Sequence, residues 1–213
     1  MCSSRLHLQY ASKLYIELQS MQYTKLIRPG IAPILCLLGD ICHPTSKSGR
    51  AFLTWCGTNW DHVLWVPGAH EVSRGSIQQM HELTGEIPRL HVMMNRAWKQ
   101  SPSSDYVVFG TPLVTDKCVR WLDGHMTEAE EMNEKAIVLS YGSPLAPISN
   151  KMNRHLIRSP TCAWLVGNTD LSYKHATSWY PPARLGACFI GSNSFQHNAM
   201  CSSGYHTDTN LLI

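Results

Sequence analysis

The chain has 213 residues, of which 44% are apolar, and this composition excludes a disordered or low-complexity protein. The formal net charge of +3 is too small to indicate nucleic-acid binding, and the longest apolar run, residues 31–38, is too short for a membrane helix. Charged residues make up only 15% of the chain, whereas its 11 histidines and 8 cysteines are numerous potential metal ligands. We expect a single domain over residues 1–213, with no membrane insertion.

The amino-terminal sequence MCSSRLHLQYASKLYIEL alternates polar and apolar residues, so it lacks the apolar stretch of a signal peptide or a transmembrane segment. The cysteines form no C-x-x-C pair, and Cys36, Cys162 and Cys188 lie within apolar runs, where buried free thiols are common. This usage predicts an intracellular, reducing compartment and argues against a disulfide framework or a zinc ribbon.

Short apolar segments separated by turn-rich or helical stretches predict β-strands along the chain. The predicted strands are residues 6–11, 33–38, 63–66, 90–93, 106–109, 136–140, 161–166 and 185–190. The predicted helices are residues 50–56, 76–83 and 127–135, and the last of these opens on a capping box formed by Thr127 and Glu130. Alternation of strands and helices favours an α/β layered domain.

Two of the predicted strands end in segments with polar side chains. Asp40 follows Gly39 after the second strand, and His70 and Glu71 follow a Pro-Gly turn after the third. Sites in open α/β sheets form outside the carboxyl ends of strands, so these residues are candidates for function. Taken alone, both segments are better explained as ordinary strand-to-loop turns.

Together with three further segments, these strand ends resemble the five ordered motifs of the calcineurin-like metallophosphoesterases. Those motifs are Asp-x-His, Gly-Asp, Gly-Asn-His-Glu, a His after a later strand, and Gly-His-x-His. The matching segments here are LHLQYASKLYIEL, APILCLLGDICHP, NWDHVLWVPGAHEVSRG, AIVLSYGSPL and AWLVGNTDLSYKH. The resemblance, to the short single-domain branch, implies a four-layer α/β/β/α sandwich in which two mixed β-sheets pack face to face.

The same resemblance indicates that this is a degenerate member of the family. The family's two metal ions are bridged by the Asp of Gly-Asp, which is retained here as Asp40. His70, the family's non-ligand histidine associated with leaving-group protonation or transition-state stabilisation, is retained with Glu71, and both are expected to be vestigial. The other six ligand positions have changed, and they correspond to Lys13, Tyr15, Ala69, Tyr141, Asn168 and Asp170.

The replacements predict that no metal cofactor is bound. The Lys13 ammonium repels a cation, Ala69 has no donor atom, and a phenol with a pKa of about 10 is a poor ligand at neutral pH. Asn168 offers only a weak carbonyl oxygen, so among the changed positions Asp170 is the one conceivable new ligand, beside the retained Asp40.

We expect Lys13 to stand where a metal stood and to pair with Asp40 or Asp170, because a buried unpaired carboxylate is costly. Tyr15 and Tyr141 are expected to fill the vacated volume. The alternative interpretation is that Lys13 and Tyr15 are surface residues of a degraded loop.

Three functions follow from these expectations. The first is a catalytically inactive protein that acts as a structural or protein-binding module inside a larger assembly, since a weakly charged surface suits protein partners. The second is a metal-dependent phosphoester hydrolase with a reorganised single site for Mn²⁺ or Mg²⁺ at Asp40, His70 and Asp170. The third is a sensor in which His70, Lys13 and loop amides hold a phosphate or nucleotide ligand without chemistry.

Overall fold

The computed structural model describes residues 6–20, 22–74, 77–144, 148–149, 151, 153–168, 174–176, 188–191 and 210–212. The strands are β1 (His7–Ala11), β2 (Ile34–Leu38), β3 (His62–Val66), β4 (Leu90–Val92), β5 (Arg96–Trp98), β6 (Tyr106–Thr111), β7 (Lys135–Ser140), β8 (Thr161–Val166), β9 (Lys174–Ala176), β10 (Cys188–Gly191) and β11 (Asn210–Leu212). The α-helices are α1 (Tyr23–Leu26), α2 (Lys47–Asn59), α3 (Ala69–Arg74), α4 (Ile77–Glu86) and α5 (Asp116–Glu131). Short 3₁₀ helices span Ile16–Leu18 and Arg154–Leu156.

The strands form two mixed β-sheets. The first sheet has the order β11-β1-β2-β3-β4, and the second has the order β5-β6-β7-β8-β10-β9. The pairs β11/β1, β5/β6 and β9/β10 are antiparallel and the remaining neighbours are parallel. The parallel strands at the centre of each sheet therefore place their carboxyl ends at a common edge.

Successive side chains of each central strand point to opposite faces of its sheet, so the core consists of three layers of side chains. In β3, Val63 and Trp65 pack against helices α2 and α4, whereas Leu64 and Val66 pack between the two sheets. In the second sheet, Phe109 and Val138 pack against α5. The chain is thus an α/β protein with four layers, helices outside and two sheets inside, which confirms the predicted architecture.

The helix α5 begins eleven residues earlier than the sequence predicts and ends before Lys135. Its amino-terminal cap is Thr115, whose Oγ1 accepts a hydrogen bond from the Cys118 amide at 3.4 Å. The expected capping box at Thr127 and Glu130 is wrong, since Thr127 lies inside the helix and donates to the Asp123 carbonyl at 3.1 Å. The buried residues at helical spacing identify the true helix, and they are Cys118, Leu122, Met126 and Ala129.

All eight predicted strands are present, the last one as Cys188–Gly191 because residues 185–187 lie outside the described part of the chain. The sequence misses β5, β9 and β11, which have three residues each. In β5 the first two residues are exposed, so it carries no apolar run that would signal a strand. Among the helices that the structure describes, none is long and apolar enough to cross a membrane.

Candidate functional site at the carboxyl ends of the strands

The carboxyl ends of strands from both sheets converge at one end of the sandwich. Three backbone hydrogen bonds join the loop after β1 to the loop after β2, and they run from Lys13, Tyr15 and Ile16 to the carbonyls of Gly39, Asp40 and Ile41. From the second sheet, Tyr141 follows β7 and reaches the same loop. The fold therefore gathers the side chains that follow β1, β2, β3 and β7.

The backbone of these loops adopts the left-handed region at non-glycine residues. Lys13, Tyr15 and Asp40 have φ angles of 53°, 44° and 54°. Left-handed φ angles are unfavourable for residues with a Cβ atom and persist only where the surrounding structure imposes them. The loops after β1 and β2 are thus held in a strained arrangement around Asp40.

Gly39 and Gly68 allow a close approach at this point. A Cβ atom on Gly39 would lie 2.4 Å from Cδ2 of Tyr141, and one on Gly68 would lie 2.7 Å from Oδ1 of Asp40. Only residues without a side chain leave room for the Tyr141 ring beside the Asp40 carboxylate.

The Asp40 carboxylate is buried and surrounded by hydrogen-bond donors. The hydroxyls of Tyr15 and Tyr141 both donate to Oδ2, each at 3.1 Å. The backbone amide of His70 donates to Oδ1 at 3.0 Å. Only 4% of Asp40 is exposed. Both carboxylate oxygens are therefore engaged by groups of the protein itself.

The same contacts raise the pKa values of the two tyrosines. Burial is the largest cause for Tyr15 and for Tyr141, and the negative charge and hydrogen bond of Asp40 add to it. Both phenols consequently stay protonated well above neutral pH, which keeps them donors to Asp40 and prevents them from acting as anionic ligands.

Glu71 holds the backbone of two loops in place through hydrogen bonds. Its side chain is fully buried and accepts hydrogen bonds from the amides of Asp40 at 3.0 Å, Ile41 at 2.6 Å, Cys42 at 3.3 Å and Gly68 at 2.7 Å. Burial raises the pKa of this carboxyl, and the amide donors counteract part of the rise. The contacts make Glu71 a positioning residue that ties the loop after β2 to the loop after β3.

His70 lies beside a carboxylate that the sequence did not identify. Its Nε2 is 3.4 Å from Oε2 of Glu17, and its ring packs against the ring of Tyr15 with centroids 5.3 Å apart. Glu17 Oε1 accepts hydrogen bonds from the His43 amide and from Ser46 Oγ, the latter at 2.8 Å. Glu17 belongs to no recognisable motif, so only its position in the fold could reveal it.

The remaining sequence-predicted residues lie around this centre. Ala69 is exposed at the start of α3, and Asn168 is exposed directly after β8, with its amide donating to the Tyr141 carbonyl at 2.8 Å. Lys13 is half-buried, and its backbone amide donates to the Gly39 carbonyl at 2.9 Å. Asp170 lies outside the described residues, so the expected pairing of Lys13 with Asp40 or Asp170 stays a prediction.

The described side chains of this region do not fit a divalent metal pair. Such a pair needs several carboxylates and neutral imidazoles converging on it. Across the part of the chain that the structure describes, no three His, Cys, Asp or Glu residues gather closely enough to hold a metal ion. The oxygens of Asp40 accept hydrogen bonds from two tyrosines and an amide, while the His70 ring lies beside Glu17.

An apolar recess adjoins the Asp40 centre. It has a volume of about 310 Å³ and is lined by Pro67, Gly68, Ala69, Val72, Pro112, Val114 and Tyr141. Val72 and Val114 on its rim are 46% and 53% exposed. One wall is the Tyr141 ring, so the recess lies directly against the residue that covers Asp40.

No protein-family model matches the sequence, and none of the curated proteins matches it. Solved structures match its fold over most of the chain. A phosphopantetheinyl hydrolase from Mycobacterium tuberculosis is 14% identical, with a TM-score of 0.58 and 89% of each chain covered.

A dimetal phosphatase from Danio rerio is 12% identical, with a TM-score of 0.52, 87% of this chain covered and 86% of the phosphatase. At such low identity the likeness shows the fold alone. The chain therefore has a metallophosphoesterase-like fold, with two mixed sheets enclosed by helices.

Proposed function

We propose that this chain is a catalytically inactive relative of the metallophosphoesterases that serves as a structural or protein-binding module. The observation that carries the proposal is the state of Asp40, the one family ligand position that the sequence retains. Its Oδ2 accepts hydrogen bonds from Tyr15 and Tyr141, two residues that stand where the family has ligands. A metal at Asp40 would have to displace both hydroxyls and would find a bulky phenol on either side.

Loss of the metals removes the main source of catalysis in this fold. In the family the metals activate the attacking water and stabilise the phosphoryl oxygens. General acid–base help from a single histidine is worth about 10²–10⁴-fold, a small part of phosphoester catalysis. His70 beside Glu17 is therefore insufficient for turnover.

A binding role finds support in the apolar recess next to Asp40. Exposed Val72 and Val114 flank a concave apolar surface at the end of the sandwich where a phosphoesterase would hold its substrate. Apolar recesses of about this volume are typical of binding sites. The low fraction of charged residues, 15%, agrees with a surface that partners cover.

The proposal is tested by metal analysis and by hydrolysis of a generic phosphodiester in the presence of Mn²⁺, with a dimetal phosphatase as the positive control. We expect no turnover above background and no Mn²⁺ or Mg²⁺ retained at Asp40. One tightly bound equivalent of either ion, with turnover abolished by Asp40→Ala and retained in the exposed control Asp105→Ala, would overturn the proposal and establish the single-metal hydrolase instead.

The binding part has its own test. A photo-crosslinking residue at Val114 is expected to form adducts with a discrete protein partner in the cells that make the chain, whereas one at Glu86, exposed on α4, is not. Equal labelling at both positions would contradict a role for the recess. Thermal stabilisation by phosphate or nucleotides that disappears in Lys13→Ala would instead support the ligand sensor.

A further inference from the structure

Two histidines meet at the opposite end of the layer between the sheets. His62 is the first residue of β3, and His91 is the central residue of β4. The register that aligns Leu64 with His91 places both imidazoles on the face turned toward the second sheet. Asp40 lies beyond the carboxyl end of β2, whereas His62 lies at the amino end of the parallel neighbour β3.

The histidine pair connects the edges of the two sheets. β4 is the edge strand of the first sheet, and β5 is the edge strand of the second. Trp98 of β5 packs edge-on against His62 with ring centroids 5.0 Å apart, and its centroid is 6.1 Å from that of His91. Trp98 is itself buried in the cluster between the sheets. Any change in the two imidazoles is therefore felt where both sheets end.

The hydrogen bond between the rings requires that one of the two facing nitrogens carries no proton. Nδ1 of His62 lies 3.3 Å from Nε2 of His91, and the ring centroids are 5.5 Å apart. In the neutral pair one nitrogen donates and the other accepts. A first proton binds the outer nitrogen of the donating ring and leaves this bond intact. A second proton must occupy the accepting nitrogen, so two donors then face each other.

The surroundings of the pair oppose the second protonation. Burial lowers the pKa of His62, and of the two nearby charges Asp61 raises it whereas Arg89 lowers it. Burial also lowers the pKa of His91, and the positive charges of His62 and Arg96 add to this effect. Two imidazolium ions would thus share a partly buried site with two arginines and one acid, and the rings titrate as a coupled pair.

We propose that His62 and His91 form an acid-sensitive switch, which holds β4 in place while one ring is neutral and releases it when both are protonated. Repulsion between two imidazolium ions acts on β4 more than on β3, because β3 pairs with strands on both sides and β4 on one side only. Release of β4 leaves hydrogen-bonding groups of β3 unpaired, and such an edge is able to bind another strand. The switch uses none of the residues around Asp40, so it is independent of the function proposed above.

Two backbone amides distinguish local release of β4 from unfolding of the whole domain. The amide of Met93, directly after β4, donates to the Trp65 carbonyl of β3 at 2.7 Å, so its hydrogen exchange reports on β4. The amide of Ala136 in β7 donates to the Pro160 carbonyl at 2.9 Å and serves as the control in the second sheet. Because the folded pKa values lie below the unfolded value of about 6.5, the protection of Met93 should be complete above that pH and lost as the pH falls through the folded values.

The test compares hydrogen exchange at about pH 7.5 and about pH 5 in wild type, His62→Gln, His91→Gln and the control His81→Gln, which replaces an exposed histidine on α4. In wild type and the control, the protection of Met93, corrected for intrinsic exchange, should fall about tenfold on acidification, the effect of one pKa unit. In the other two variants it should change by less than about twofold, because a glutamine amide both donates and accepts at either pH. Ala136 should keep its protection in every protein.

Nitrogen NMR of the imidazole side chains follows the same event in wild type without any substitution. His62 and His91 should titrate in two coupled steps, and the loss of Met93 protection should accompany the second step. Thermal unfolding at the higher pH verifies that each variant is folded. Equal loss of protection in wild type and His91→Gln, equal loss at Met93 and Ala136, or two protonated rings with Met93 still protected would each overturn the proposal.

Discussion

The two ends of the layer between the sheets both place polar side chains at the border of an apolar core, yet they satisfy them differently. At one end the Asp40 carboxylate receives three hydrogen bonds from two hydroxyls and one amide. At the other end the imidazoles of His62 and His91 face each other across 3.3 Å. The first end gathers several donors around one charged acceptor, whereas the second pairs two rings, of which one nitrogen donates to the other.

This difference shows that the ability of a side chain to bind a metal ion depends on its neighbours as much as on its residue type. Asp40 is a strong metal ligand in chemical terms, but tyrosine and amide donors occupy its oxygens. The histidine pair belongs to no motif of the family that the sequence resembles, and each ring has the other as a hydrogen-bonding partner. An abundance of histidine therefore does not by itself indicate a metal site, because the fold decides which ring nitrogens already have partners.

The largest effect is expected at Glu71, which supports the Asp40 end. Glu71→Ala removes the acceptor of four backbone amides in a fully buried position, so it should lower the free energy of unfolding by about 3–5 kcal/mol. Glu71→Gln keeps the shape and part of the acceptor capacity and should cost about 1–3 kcal/mol. Urea denaturation measures both.

The matched control is Glu128→Ala, an exposed carboxylate on α5, for which a change within about 0.5 kcal/mol is expected. If Glu71→Ala were as mild as this control, the loops around Asp40 would not depend on the buried carboxylate. The strained left-handed backbone at Asp40 would then need another support.

A smaller effect is expected from removing the two hydroxyls on Asp40. Tyr141→Phe should cost about 1–2 kcal/mol and the more exposed Tyr15→Phe about 0.5–1 kcal/mol, since both bonds reach a charged acceptor. The double variant should cost more than the sum, by about 0.5 kcal/mol or more, because each hydroxyl partly compensates for loss of the other. Strict additivity would show that the hydroxyls do not share Asp40 as the structure places them.

The residues at these two ends also show which features the sequence predicts and which only the structure reveals. The order of strands and the polar segments at their ends were enough to predict the four layers and the neighbourhood of Asp40. The contact between His70 and Glu17 was not predictable, since Glu17 lies in a short 3₁₀ helix and approaches His70 only once the loops after β1 and β3 are in place. The histidine pair depends on the register between β3 and β4, which no local pattern specifies.

The start of α5 illustrates a different cause of error. Thr127 followed by Glu130 carries a capping signal that competes with the true cap at Thr115, and both threonines precede apolar residues at helical spacing. Burial of Cys118 and Leu122 against the second sheet decides between them. Tertiary packing therefore decides where this helix begins, and such packing is not visible in a single sequence.

Alkaline solution should also lower the free energy of unfolding through the Asp40 end. The expected decrease is smaller than that caused by removing the two hydroxyls. The folded pKa values of Tyr15 and Tyr141 are raised above the unfolded value of about 10, chiefly by burial and further by Asp40. The contribution is therefore complete below about pH 10 and is lost as the pH rises from there through the folded pKa values. We expect the unfolding midpoint to fall as the pH rises above about 10.

The difference between wild type and the Tyr15→Phe, Tyr141→Phe double variant isolates this contribution, because the other tyrosines are common to both. The double variant should show the shallower loss of stability with pH. Tyrosinate absorbance should further reveal two phenols in the folded wild type that titrate later than in the unfolded chain. Equal pH slopes in the two proteins would indicate that folding does not raise the pKa values of these phenols.

The smallest effect is expected at the histidine end. In urea denaturation, His62→Gln should lower the free energy of unfolding by no more than about 1 kcal/mol, because it removes one long contact between two half-buried rings. A loss of several kcal/mol would reverse the comparison, since it would make the histidine pair a structural element like the Asp40 centre.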